Sequence, residues 1–556
     1  MKWKNKLIFL IFFLSAGLII FRLYYIQIRR GEYFEALALG QQTFFKEVFG
    51  ERGGIFLKDG TPLAQTAEAY LVYINPKQIE KDEEKIKHLI VFLSEILNEN
   101  ENLVRDKLFK NRVIKKEISY ESFKKIRNAR IKGVYGEKIW KRIYPQNKLA
   151  AQVVGFVNRN GDGQYGVERA YNSLLSGKKA LRQEYRLIGF KRNSLRLKNP
   201  ILLKGADVFL TIDYKLQYFA EKALEKAKER WKIESGQIII SEPATGKIIT
   251  MAFLPRFDPN NYYKEKNLRV FVNPAVQSLF EPGSIFKAIT FAAAIEEGLI
   301  NPEDTYIDRG FVKLSGAPIY NFGRRVWGEQ TMQQVLEKSL NTGAVFVQQK
   351  LGEKLFLSYL QKFGFFEKTG IKLEGEVFSE NRQLKKGIKR DIAVASFGQS
   401  INITPMQIIR AFGAIANGGK LMKPVIIDKI VMPDGEIKKE EPEMQRRVIS
   451  KETSSRLIKM LVSVVENGSG IRGRIKGYAI AGKTGTAQVS VPGKNGYGGK
   501  TIQSFIGFFP AQNPRFLVFV KLDNPQTLMA SRSAAPLFRE IAEYIISQYE
   551  LPPNEE

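Results

Sequence analysis

Between Leu7 and Ile28 the chain runs through 22 residues with a single charge, Arg22. About 20 apolar residues in a helix cross the hydrocarbon of a bilayer. This run therefore predicts a membrane-spanning helix over 7–28, with residues 1–6 as a cytoplasmic tail. A cleaved signal peptide has a shorter apolar run and a small-x-small cleavage site. The run here is longer and no clear site follows it, so the segment reads as an uncleaved anchor. Lys2, Lys4 and Lys6 argue for a cytoplasmic N-terminus, against Arg29 and Arg30 on the other flank. Arg22 can snorkel or face a partner helix, and Tyr24 and Tyr25 suit the outer interface. No second run approaches this length. The expectation is a single-pass protein of the cytoplasmic (inner) membrane, with everything after about residue 30 in the periplasm or cell-envelope space.

The residue inventory restricts the chemistry of that outer part. Of 556 residues none is Cys and one is His, His88, in a charged helical pattern. Thiolate metal sites, disulfides, His-ligated zinc and Ser-His-Asp catalysis are excluded or disfavoured. Acid–base work must fall to Lys, Tyr, Asp, Glu or Ser. The net charge is +30, and residues 101–200 alone hold 25 Lys/Arg against 8 Asp/Glu. Such an excess fits a nucleic acid, an anionic membrane or another anionic polymer, or simply a solvated basic face. No P-loop, zinc finger or other nucleic-acid motif is present, so no nucleic-acid partner is expected.

The outer part divides near Gly205. "GIFLKDGTPLA" reads as a β-hairpin, residues 80–130 as charged helices, "NRNGDGQYG" as a loop and "VERAYNSLL" as a short helix. Residues 178–206 are basic and strand-like. From 206 a strand, Val208–Ile212, leads into an amphipathic helix with Leu216, Phe219, Ala220 and Leu224 on one side. Mixed strands and helices follow to about 548, and 549–556 is a tail.

Ser284 and Lys287 in "FEPGSIFKAITFAAAIEEG" form the most informative pair. Ser after Pro-Gly at a helix start is what N-capping predicts, and Ser-x-x-Lys recurs at Ser122–Lys125 and Ser176–Lys179. In those copies the surroundings are polar. Around Lys287 the helix is apolar on nearly every side, which predicts burial. Burial lowers a lysine pKa, and the i, i+3 spacing puts the amine on the Ser face. Ser284 then reads either as a cap or as a nucleophile with Lys287 as its base. Ser339-Leu340-Asn341 and Lys483-Thr484-Gly485-Thr486 follow at intervals of 55 and 144 residues. Each short motif has decoys: Ser379–Asn381, Ser400–Asn402 and Lys368–Gly370. Only the later Lys-Thr-Gly follows a strand-like "YAIAG" and continues to a second Thr. Gly485 on a strand admits close approach of another backbone, and a peptide substrate could add there as a further strand.

The ordered set S-x-x-K, S-x-N, K-T-G-T resembles that of the penicillin-recognising serine transpeptidases, for which penicillin-binding proteins are the stock example. "RGGIFLKDGTPLA" and "RIYPQNKLAAQVVGFV…GVERAYNSLLSG" are similar to the hairpin and linker of class B penicillin-binding proteins. "GADVFLTID", "EPATGKIITMA", "FGQSINITPMQ" and "SFIGFFP" resemble transpeptidase landmarks. Leu57-Lys58-Asp59 departs from the usual Asp-Arg-Asn/Asp of the hairpin, which puts its ion pairing in question. The resemblance implies a multidomain chain. It has an anchor, an α+β pedestal over 30–205 and an α/β transpeptidase domain over 206–548, an antiparallel sheet flanked by helices as in β-lactamases.

The resemblance also implies an activity, D,D-transpeptidation of peptidoglycan stem peptides ending in D-Ala-D-Ala, inhibited by β-lactams. Ser284 would be the nucleophile and Lys287 the base. Ser339 would relay a proton, and Asn341 would hold substrate or Lys287. Lys483, Thr484 and Thr486 would bind the terminal carboxylate, with Gly485 on the same strand. The backbone N–H groups of Ser284 and Thr486 would form the oxyanion hole. No metal or organic cofactor is implied. No glycosyltransferase motif appears, so a SEDS-family glycosyltransferase and other divisome proteins are the implied partners. Ser-Leu-Asn is closer to the division (septal) type than to the elongation type, which often has Ser-x-Asp. A membrane-anchored β-lactamase or β-lactam sensor, or an inert envelope scaffold, are the competing readings.

Overall fold

A computed structural model describes residues 2–31, 43–110, 113–185, 203–314, 318–490 and 497–553. Contacts divide the chain into two units, residues 1–52 with 176–205, and residues 53–175 with 206–556.

In the first unit the apolar run is helical from Lys2 to Tyr24 and ends in a π-turn, Tyr25–Arg29. The apolar side chains from Leu7 onward are exposed, as expected of a helix whose solvent is lipid. The Arg22 and Arg30 guanidiniums lie 5.9 and 5.4 Å from the centre of the Tyr25 ring. Both guanidiniums thus flank the Tyr25 ring at the C-terminal end of the helix. Strands Thr43–Phe49 and Lys179–Tyr185 pair antiparallel. Of the basic stretch expected to be strand-like, residues 186–202 lie outside the described residues.

The second unit holds two large sheets. The first has seven strands. The expected hairpin is formed by Ile55–Phe56 and Pro62–Ile74, closed by Leu57 N–H to Thr61 O and by Gly60 N–H to Leu57 O. The long strand Pro62–Ile74 pairs with both Val113–Ile118 and Val134–Ile143. Ile55–Phe56 also pairs, in parallel, with Asp207–Leu210, which continues to Ile427–Val431 and Ile437–Lys439. Helices Glu83–Leu97, Glu101–Lys110 and Tyr120–Asn128 pack on the first part through Leu89, Leu93, Leu97, Val104 and Ile126. His88 is on the exposed side of the first of them.

The second sheet is antiparallel and carries Lys483–Thr486 on its edge strand. Its strands are β1 (Ser235–Ser241), β2 (Ile248–Leu254), β3 (Ala481–Ser490), β4 (Tyr497–Phe509) and β5 (Phe516–Asp523), in the order β2-β1-β5-β4-β3. Period-two alternation sorts its side chains into two cores. Ile238, Ile240, Val518 and Val520 join helices Tyr214–Trp231 and Ala534–Gln548 on one face. Ile239, Met251, Phe519 and Ile506 join α1 (Lys287–Glu296) and helices Pro405–Ala416 and Lys451–Asn467 on the other. Leu216, Ala220 and Leu224 are buried, as their spacing predicts. This is the helix-flanked antiparallel sheet that the resemblance implied. The middle of the edge strand β3, Gly485–Ala487, lies beside the turn that leads into α1.

Candidate active site

Ser284 lies in a 3-10 turn, Gly283–Phe286, that runs directly into α1. The expectation that it opens the helix as a cap is corrected. Pro282 stands at the N-cap, no side chain caps the turn, and Ser284 is its second residue. Its hydroxyl is therefore not committed to a backbone N–H. The turn is pinned from behind by Gly283 N–H, which donates to Gly398 O at 2.9 Å. Gly398 has φ +81, and a Cβ there would lie 2.2 Å from Gly283 O. That position requires glycine on both counts.

Residues 287–295 of α1 are all buried. Lys287 is fully so, and its Nζ donates to Ser339 O at 2.6 Å and to Asn341 Oδ1 at 2.9 Å, with a longer contact of 3.3 Å to Ser339 Oγ. The Phe397 ring lies 5.9 Å away. These acceptors converge because of the backbone at Ser339. Helix α2 (Met332–Lys338) begins with a Thr331–Gln334 capping box and ends at Ser339 in the left-handed conformation, φ 57 and ψ 47. The chain reverses there and, one residue on, begins α3 (Asn341–Lys362). The Ser339 hydroxyl and carbonyl and the Asn341 amide are thereby turned to one ammonium.

Lys483 on β3 reaches the same hydroxyl from the opposite side. It is fully buried and donates to Ser339 Oγ at 2.9 Å and to Thr484 O at 3.3 Å. Burial pulls its pKa down to about 7. Lys287 is held well below the ordinary lysine range, first by burial and then by the charge of Lys483. Ser339 Oγ accepts from Lys483 and lies 3.3 Å from Lys287 Nζ, so the hydroxyl stands between the two amines with its own proton free to be passed on.

The rest of the K-T-G-T strand is organised around the cleft. Thr484 Oγ1 donates to Ser469 Oγ at 3.1 Å, and Thr486 Oγ1 accepts from Ala530 N at 3.2 Å. A Cβ on Gly485 would lie 2.5 Å from Ser504 Oγ and 2.9 Å from Pro282 O. The close approach anticipated at this glycine is made by the protein's own 3-10 turn. Among the described residues no further strand pairs with β3, which is the edge of its sheet.

The decoys are placed differently. Lys125 and Lys368 are exposed. Thr369 and Gly370 close a turn of their own on the Glu376 carboxylate. Asn381 is bound to Ser379 O and Asn402 O. The side chain of Lys179 lies outside the described residues. Four residues that sequence reasoning did not single out shape the site: Asp308, Asn321, Phe397 and Gly398. Phe397 and Gly398 sit within the quoted "FGQSINITPMQ". Asp308 and Asn321 stand in "YIDRGFV" and "IYNFGRR", which carry no motif.

Comparison with known proteins gives two family matches. Residues 236–543 match the penicillin binding protein transpeptidase domain, and residues 47–187 match the penicillin-binding protein dimerisation domain. Stage V sporulation protein D of Bacillus subtilis is 34% identical over 93% of this chain and 82% of its own length. The peptidoglycan D,D-transpeptidase FtsI of Buchnera aphidicola (subsp. Baizongia pistaciae) is 31% identical over 91% of this chain and 88% of its own. The crystal structure of penicillin binding protein 3 from Mycobacterium tuberculosis, complexed with aztreonam, superposes with a TM-score of 0.72 at 27% identity. It covers 92% of this chain and 98% of that one.

Proposed function

The chain belongs to the class B penicillin-binding proteins, and from that premise we propose that it is a single-pass serine D,D-transpeptidase that crosslinks peptidoglycan. The observation that carries this reading is the convergence of two buried lysines, Lys287 and Lys483, on the half-buried Ser339 and Asn341 in one hydrogen-bonded group, at the foot of the turn that presents Ser284. In this reading residues 7–28 are the anchor, 30–205 the pedestal and 206–548 the transpeptidase domain, with the N-terminus in the cytoplasm.

The geometry supports a specific course. A neutral amine has two N–H donors and one lone pair. The two short bonds of Lys287, to Ser339 O and Asn341 Oδ1, use both donors. The lone pair is then available for the Ser284 proton. Ser284 Oγ attacks the carbonyl of the penultimate D-Ala, and the N–H groups of Ser284 and Thr486 receive the oxyanion. Ser339 donates its free proton to the departing D-Ala amine and is reprotonated from Lys287. Terminal D-Ala leaves, and an acyl-enzyme remains. An amine of a second stem peptide takes the acyl group and restores Ser284. The donor peptide lies along the open edge of β3, its carboxylate held by Thr484 and Thr486 in the field of Lys483. β-Lactams mimic that donor and acylate the same serine.

Incubation with donor and acceptor stem peptides tests the reaction. The wild type should release D-Ala and form a crosslinked product, and Ser284→Ala should form none. A crosslinked product from Ser284→Ala rejects the assignment. Slow hydrolysis of bound penicillin separates the enzyme from a β-lactamase, which releases it quickly.

Within class B, Ser339-Leu340-Asn341 and the relatives named FtsI favour a septal role. A tagged copy should then concentrate at the division site, and uniform lateral-wall labelling argues for elongation. Glycan polymerisation is assigned to a SEDS-family glycosyltransferase, with Arg22 as a candidate contact.

A further inference from the structure

Helix α3 has an unusual beginning. Its N-cap, Leu340, has no side chain able to accept a bond. Its first N–H groups must find acceptors elsewhere. They find one in Asn321, which lies 20 residues upstream, directly after the short strand Ile319–Tyr320. Asn321 Oδ1 accepts from Asn341 N at 2.9 Å and from Thr342 N at 3.2 Å. The other end of the same amide is fixed as well. Asn321 Nδ2 donates to both oxygens of the Asp308 carboxylate at 3.0 Å. Asp308 is itself buried and accepts from Gly310 N at 3.0 Å, Trp327 N at 2.9 Å and Thr342 Oγ1 at 2.8 Å. The Asn321 backbone contributes through its neighbour, since Tyr320 O accepts from Asn341 Nδ2 at 3.0 Å.

These bonds form a continuous chain. Asp308 orients the Asn321 amide, and Asn321 caps α3. Tyr320 then fixes which way the Asn341 amide faces. With Nδ2 held by a carbonyl, Oδ1 is the atom presented to Lys287, at 2.9 Å. A flipped amide would offer Lys287 an N–H in place of an acceptor. Asp308, Asn321 and Thr342 are buried and satisfy one another, while Asn341 is half-buried and Tyr320 is exposed. A core position needing only to be filled would not require a carboxylate and an amide in this orientation.

We propose that Asp308 and Asn321 are positioning residues for the reaction, holding Asn341 so that its Oδ1 orients Lys287 toward Ser284. The proposal rests on the serine transpeptidase reading and extends it to two residues outside the three motifs. They touch neither substrate nor the reacting atoms. Their effect passes through Asn341 and Lys287, the latter faced also by Lys483.

The test uses the full-length detergent-solubilised protein. The rate of acylation by a fluorescent penicillin is measured against pH for Asn321→Ala, Asn321→Asp, the exchange pair Asp308→Asn with Asn321→Asp, and Tyr306→Phe. Tyr306 is the internal control, because its hydroxyl meets Thr342 Oγ1 at 3.1 Å in the same network without touching Asn321 or Asn341. Loosening Asn341 removes an acceptor that favours the charged form of Lys287. The rising limb of the pH profile should therefore move to lower pH in Asn321→Ala, by about half a unit or more, while the plateau falls at least tenfold. Asn321→Asp sets two carboxylates face to face and should be similarly slow. The exchange pair restores an amide opposite a carboxylate and should recover most of the plateau.

Tyr306→Phe should keep the wild-type profile. If Asn321→Ala does not fold, the two Asp-bearing variants carry the comparison. Unchanged plateau and limb in the Asn321 variants overturn the proposal. So does a loss of rate with an unmoved limb that Tyr306→Phe reproduces. Failure of the wild type itself to be acylated at Ser284 would instead reject the transpeptidase reading.

Discussion

Lys483 donates to a hydroxyl and a carbonyl rather than to a carboxylate, and burial alone brings its pKa to about 7. An unfolded lysine titrates near 10.4. Between these two values the unfolded chain binds more protons than the folded one, so stability rises with pH across the window. The contribution is about 1.4 kcal/mol per pH unit for one such group. The destabilisation is present in full below about pH 7 and gone above the unfolded value. In Lys483→Met this dependence disappears. The unfolding free energy of the variant minus that of the wild type should therefore fall by roughly 1 kcal/mol per unit between pH 7.5 and 9.5. Denaturant titrations across that range measure it, and a pH-independent difference contradicts the assignment. At this scale the sequence was informative where chemistry and burial are both local. The apolar run around Lys287 announced its burial, and exposure separates Lys125 and Lys368 from Lys287 and Lys483. The cap reading of Ser284 failed because a Pro-Gly start was continued as a 3-10 turn, which moves the capping position back to Pro282. Asp308 and Asn321 were not legible, because their partner is a helix start that only tertiary folding brings to them.

Two elements meet at the cleft, the edge strand β3 and the turn that carries Ser284. The contact leaves no room at Gly485, where an added methyl would meet Pro282 O at 2.9 Å and Ser504 Oγ at 2.5 Å. Gly485→Ala must push β3 away from the turn. Overpacking of this kind costs roughly 1–3 kcal/mol. The displacement moves Lys483 off Ser339 and the Thr486 N–H off the oxyanion position. Acylation should slow at least tenfold with a measurably lower midpoint of thermal unfolding. Wild-type acylation kinetics in Gly485→Ala would show that the contact is not required. The three motifs could be read from the chain because each is a short spacing on one element. Their convergence could not, since it depends on the sheet order β2-β1-β5-β4-β3, which places β3 at the edge.

On the scale of the whole molecule the chain combines a long apolar helix with a large unit built on two large sheets. That helix was the plainest feature of the sequence, because a long apolar run needs no tertiary contact to be read. The seven-stranded sheet was not foreseen. It joins hairpin strands near Ile55 to strands near Val208 and Ile427 through pairings that no local pattern encodes. Where an apolar helix crosses a bilayer, the cost of an Arg within it is offset by snorkelling or by a partner. Arg22→Ala should reduce copurification with a SEDS-family glycosyltransferase severalfold while leaving membrane fractionation intact. Unchanged copurification assigns Arg22 to the interface alone, beside Tyr25.

The central claim is that Ser284 forms the acyl-enzyme. Mass spectrometry of the penicillin-treated protein, followed by mapping of the modified peptide, tests it most directly. One added penicillin per chain is expected, on the peptide containing Ser284, and no adduct in Ser284→Ala. An adduct on any other residue, or one retained in Ser284→Ala, would contradict it.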